Sequence, residues 1–183
     1  MILKDAIMKA KYYIFVSLLI TCVQSSCNKD DINFENEYNQ SYKEWQVFKK
    51  SSDNSYRYIV SGASWTGDSW ETIITVINGI ITQRDFRYIS RDPLYGSIPE
   101  EDMSWIENED DINSRQNTNA AGAITLDEIY EKAQREWLLK RGNEKTYFET
   151  ENSGLISLCG YVENACADDC FRGIRISYIE ALY

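Results

Sequence analysis

Three thiols lie in the last quarter of the chain, at Cys159, Cys166 and Cys170, with Asp168 and Asp169 between the last two. Three thiolates and one carboxylate are donors enough for a tetrahedral zinc ion. The neighbouring carboxylates, however, raise thiol pKa values and work against the thiolate form that a metal needs. In an oxidising compartment the same residues serve as a disulfide. The expected pairing is Cys159 with Cys170, facing each other across a hairpin with Cys166 in its loop. Bridges through Cys166 are the alternatives, and one thiol is left over. Closing such a loop stabilises by roughly 2 to 3 kcal/mol. No metal and no cofactor is expected.

Other groupings come close to chemistry and miss it. Gly62-Ala63-Ser64-Trp65-Thr66-Gly67-Asp68-Ser69 has the spacing of a phosphate-binding loop, but Asp68 stands where the lysine must be and would repel phosphate. Asp111-Ile112-Asn113-Ser114-Arg115 opens like a calcium loop, yet Arg115 takes the third ligand position and Gln116 the turn glycine's place. The chain has no histidine, which removes the Ser-His-Asp triad, the Cys-His dyad, the His-Glu-x-x-His zinc site and histidine acid-base work together. Paired carboxylates for glycoside hydrolysis cannot be chosen from 29 Asp and Glu without geometry. No catalytic residue is therefore assigned, and the chain is read as a non-enzyme.

Charge narrows the partners. Lys and Arg number 19 in 183 residues, giving a net charge of -10. Nucleic-acid binding rests on clustered cations and is not expected. Lys4, Lys9 and Lys11, against the single acid Asp5, precede an apolar run from Tyr12 to Val23, which reads as a secretion signal and is too short for the roughly 20 residues of a membrane span. Ser25-Ser26-Cys27 resembles a bacterial lipobox, with Gln24 where leucine is usual and Val23 one place further back. The resemblance implies cleavage before Cys27 and acylation of its thiol; ordinary cleavage that leaves Cys27 unmodified is the alternative. Lys29, Asp30 and Asp31 follow, similar to the Lys-plus-two-acids export signal of bacteroidete-type surface lipoproteins. The implied home is the outer face of the outer membrane, with a periplasm-facing or secreted protein as the alternative. Without Lys4, Asp5, Lys9 and Lys11 the net charge becomes -12. Two or more acyl chains anchor such a domain with no basic patch.

The remaining chain reads as signal 1–26, tether 27–33 and one domain 34–183. Phe34, Tyr38, Tyr42, Trp45 and Lys49 recur at spacings of three and four, an amphipathic helix over 34–50 whose aromatic stripe is core. Residues 55–60 and 71–77 alternate with period two, and Asn78-Gly79 joins the second strand to a third ending near Ile89 through a type I′ hairpin. Residues 90–122 hold both prolines and the acidic run Glu107 to Asp111, and read as a long surface loop that folds back at Trp105 and Ile106. Thr125-x-x-Glu128, with Ile124 and Ile129 as staple, caps a second helix over 126–141. Strands at 145–149, 154–162 and 174–183 follow, the last two forming the cysteine hairpin 154–182.

This order implies an α+β fold, an antiparallel twisted sheet of five to six strands with two helices packed on one face. Trp45, Tyr56-x-Tyr58, Val76-Ile77-Asn78-Gly79 and Thr125-Leu126-Asp127-Glu128-Ile129-Tyr130 together resemble small uncharacterised bacterial lipoprotein domains, over about 42–183. That resemblance implies location and fold and brings no catalytic residue. The function expected is a non-enzymatic, surface-anchored binding or envelope domain, a monomer with an unidentified protein partner. The alternatives are an inhibitor or immunity-type protein, docking its cysteine loop and Glu107 to Asp111 into a basic enzyme cleft, and a carboxylate-using hydrolase.

Overall fold

A computed structural model describes residues 31–91, 98–166 and 170–182. The signal segment, Cys27, Lys29 and Asp30 lie outside them, as do Asp168 and Asp169. Among the described residues the chain forms helix α1 (Glu35–Ser51), strands β1 (Tyr56–Ala63), β2 (Ser69–Ile77) and β3 (Ile80–Ser90), a one-turn helix α2 (Glu100–Met103) and strand β4 (Ser104–Asn108). Helix α3 (Leu126–Lys132) and strands β5 (Glu144–Glu149), β6 (Leu158–Glu163) and β7 (Arg172–Ala181) complete it. The fold is α+β, with one antiparallel sheet in the order β4-β3-β2-β1-β7-β6-β5. Seven strands and three helices exceed the expected five to six and two; β4 and α2 are the additions.

Both come from the segment expected to be loop. Trp105 and Glu107 point inward and are buried while Ser104, Ile106 and Asn108 point out, a period-two pattern only five residues long. A glutamate at an inward position hid it. Helix α3 also stops short of the expected Arg141: after Lys132 the chain widens into a π-helical turn, Ala133–Trp137, where the Leu138 amide donates to the Ala133 carbonyl at 2.9 Å. That widening keeps Ala133, Trp137 and Leu138 all in the core. The apolar run from Gly154 likewise begins as turn, with Ser153 and Gly154 at φ 55 and 90, and Leu155 and Ile156 are core plugs ahead of β6.

One face of the sheet holds the core. Tyr56, Tyr58, Val60, Ile74, Val76, Ile174 and Ile176 meet Trp45 of α1 and Leu126, Ile129 and Tyr130 of α3. The aromatic stripe of α1 is core only in part: Tyr38 and Trp45 are buried, Trp45 edge-on to Tyr56 and stacked on Tyr130, whereas Phe34 and Tyr42 are exposed. Buried hydroxyls find partners across elements, as they must. Tyr56 accepts from the Leu126 amide at 2.9 Å, Tyr58 donates to the Ile124 carbonyl, and Tyr38 donates to the Tyr130 carbonyl at 3.1 Å. Burial raises the hydroxyl pKa of all four tyrosines, to about 12 for Tyr130. The Thr125 capping box is present in both directions, at 3.2 and 2.6 Å.

The body begins earlier than Phe34. Ile32 is buried and bridges to Leu139, the Asn33 amide donates to the Leu138 carbonyl at 2.7 Å, and the Lys140 amide donates to Asp31 at 3.1 Å. Residues 31–33 are thus laid along the segment after α3, not free as tether.

Candidate functional site

The cleft is assembled at the β3–β4 edge of the sheet. Register places Phe86 opposite Trp105, and the two rings stack with centroids 5.3 Å apart; Tyr88 sits edge-on to Phe86 at 5.2 Å. One strand residue earlier on the same face, Arg84 pairs with Glu107 at 3.0 Å, both about 3% exposed. A buried ion pair holds only when its remaining valences are filled. Here they are. Arg84 Nε donates to the Ala121 carbonyl at 2.9 Å and its guanidinium lies 4.9 Å from the Trp105 ring. Glu107 accepts from the amides of Asn113 and Arg115 at 2.8 and 2.7 Å and from the Ser114 hydroxyl at 3.1 Å. Burial would raise its carboxyl pKa, but the Arg115 amide, the Arg84 guanidinium and the Asn113 amide together hold it below the usual range.

That carboxylate therefore folds the 109–123 segment, which wraps around it amides-first. The Asn113 side chain then clips the far end, accepting from the Ala123 amide at 2.8 Å and donating to its carbonyl at 3.0 Å. The result turns donors rather than oxygens inward at the sequence that opened like a calcium loop, and among the described residues no three ligating side chains converge on a metal site. Residues 115–119 form the cleft's outer wall, facing Ile98, Pro99 and Asp102 across a hollow of about 550 Å³ floored by Phe86, Tyr88 and Trp105. Arg115 lies 5.1 Å over the Trp105 ring and 3.5 Å from Asp102; Asn119 Nδ2 donates to the Tyr88 hydroxyl at 2.8 Å. Aromatic floor and convergent polar rim are the usual make-up of a small-ligand site.

The residues singled out by sequence lie elsewhere. Asp68 of the glycine-rich turn pairs with Arg91 at 3.4 Å, and Gly62 is glycine because the Trp70 indole lies over it, 2.3 Å from where a Cβ would be. Cys166 and Cys170 stand at disulfide distance, with Cα atoms 6.1 Å apart, whereas Cys159 is a free, fully buried core residue. The pairing is thus Cys166 with Cys170, not Cys159 with Cys170. The reason is register: Cys159 sits opposite Ile174, on the core face of β6, and Cys170 precedes β7 altogether. Burial pushes the Cys159 thiol pKa up, which favours the protonated form over the thiolate. Asp31, the last residue of the Lys29-Asp30-Asp31 run, is exposed and pairs with Lys140 at 2.5 Å.

The inhibitor alternative needed the cysteine loop and Glu107 to Asp111 on one docking surface. Of that acidic segment Glu107 is buried, whereas Glu109, Asp110 and Asp111 are exposed, and β4 lies four strands from β7. The cleft itself went unread apart from the fold-back at Trp105; its wall of Gln116, Asn117, Thr118 and Asn119 is compositionally a plain polar loop. No family model, curated protein or solved structure matches the chain.

Proposed function

We propose that the protein is a non-enzymatic lipoprotein domain, anchored through Cys27 at the outer-membrane surface, that binds a ligand or a protein segment in the cleft between Pro99–Asp102 and Arg115–Asn119. The carrying observation is the saturation of Glu107. General acid-base work needs a carboxyl that can exchange a proton with a substrate, and Glu107 spends its oxygens on four donors inside the fold. What remains at the rim is uncharged amide and hydroxyl, with Asp102 and Arg115 offsetting each other, a surface fit for recognition. The cleft lies at the β4 edge of the sheet, and Asp31 is held by Lys140 just before β5, at the opposite edge.

A photo-cross-linking residue in place of Thr118, in the full chain on intact cells, tests this. The expected result is one discrete adduct that disappears when Tyr88 and Asn119 are both changed to Ala. Adducts indifferent to that change would remove the cleft from the account, and a hydrolytic turnover abolished by Asp102→Asn would replace it with the carboxylate-using reading.

A further inference from the structure

Among the described residues, no helix lies over the second face of the sheet. Its central row, fixed by register, runs Ile106, Asp85, Ile73, Ile59, Tyr178 across β4, β3, β2, β1 and β7. Ile106 is 56% exposed and Tyr178 50%, and Ile80 and Ile89, on the same face of β3, are 66% and 55% exposed. Isolated exposed apolar side chains need no explanation, but a contiguous set on a flat sheet face marks a contact surface. The flanking charges are closed on themselves, Arg87 with Glu71 at 2.8 Å and Arg57 with Glu180. On β4, β3, β2, β1 and β7 two outward charges remain without an ion-pair partner among the described residues, Asp85 in the middle of the apolar row and Arg175 on β7; Lys145 and Glu149 of β5 add one charge of each sign at the far edge. The face is thus electrically neutral on a molecule of net charge -10.

We propose that this face packs on the same face of a second copy, about a two-fold axis running along the strands between β1 and β2. The pattern is self-complementary under that operation, as a two-fold interface requires. In the order β3-β2-β1-β7, such an axis exchanges β1 with β2 and β3 with β7. Ile73 of one copy then meets Ile59 of the other at the centre. Asp85 lies over the partner's β7, where Arg175, next to the Ile176 that pairs with Val60, is displaced by one outward row, roughly 7 Å along the strand. Aligned sheets pack about 10 Å apart with strands within about 30°, so an extended arginine spans that offset and the Asp85–Arg175 pair forms twice. Two acidic copies would repel through any other large surface; through this one they meet with charges balanced. A lone carboxylate in the apolar row also deters stacking on any surface lacking a matched cation, which makes the contact selective.

Sedimentation equilibrium of the full chain in density-matched non-ionic detergent tests the proposal, with Asp85→Arg, Arg175→Asp and the double charge swap beside the wild type. The wild type should fit a reversible equilibrium reaching twice the chain mass. Each single swap should weaken association by about tenfold or more, because it opposes like charges twice across the interface, and the double swap should restore most of it. A single species of monomer mass at every loading concentration up to about 0.1 mM would overturn the proposal, a concentration chosen to reveal even weak association. So would a dimer unaffected by the single swaps, or one that the double swap fails to restore. The outward position of both side chains keeps the fold out of the result, and unchanged far-ultraviolet circular dichroism checks it.

Discussion

Glu107 is the residue on which the cleft depends, and its role is to organise chain rather than to do chemistry. Replacing it with Gln leaves Arg84 charged, buried and stripped of its counter-ion, so Glu107→Gln should destabilise by about 3 to 5 kcal/mol, read as a shift in urea midpoint. The pH dependence has a definite sign. The folded carboxyl pKa is lowered relative to its ordinary 4.5, so its contribution is fully present above that value and is lost as pH falls through the lower folded value. The wild type should therefore lose stability in acid more steeply than Glu107→Gln; parallel acid profiles would show that the buried pair is not what holds the 109–123 segment. Nothing in the sequence marks Glu107 apart from Glu109, Asp110 and Asp111 beside it. Its distinction is the inward side of a five-residue strand, visible only once Arg84 is known to lie opposite.

Elements whose signals are local were legible, and those that depend on partners across the sheet were not. The capping box at Thr125, the Asn78–Gly79 turn with φ 51 and 81, and the α1 stripe each follow from side chains a few positions apart. Strand β4 exists because β3 offers an edge and because Phe86 and Arg84 give Trp105 and Glu107 something to pack on and pair with. The hairpin itself was legible, but the Cys159–Cys170 pairing failed for the same reason. Which thiol faces the core depends on the β6–β7 register, where Gly160 lies against Gly173 with the Phe171 ring over it. The Cys166–Cys170 bridge closes only a short loop, so removing it with a double Ser substitution should cost about 2 kcal/mol or less. Non-reducing peptide mapping of native protein should show that bridge, with Cys159 refractory to iodoacetamide until the chain is unfolded. A Cys159–Cys170 bridge, or rapid alkylation of Cys159 in the native state, would contradict the register described.

At the scale of the whole molecule, the fold assigns different tasks to different parts. One sheet face carries the core, the other is free for a second copy, one edge carries the cleft and the opposite edge adjoins the start of the body. With residues 31–33 fixed along 138–140, only 28–30 lie between the body and Cys27, and a stretch that short reaches roughly 14 Å at most. Intact-mass analysis of the protein purified from membranes of its own cells tests this account most directly. It should give a chain beginning at Cys27 with a thioether-linked diacylglycerol and an N-acyl group, and Cys27→Ser should abolish that form. An unacylated chain, beginning at Cys27 or elsewhere, would contradict the account.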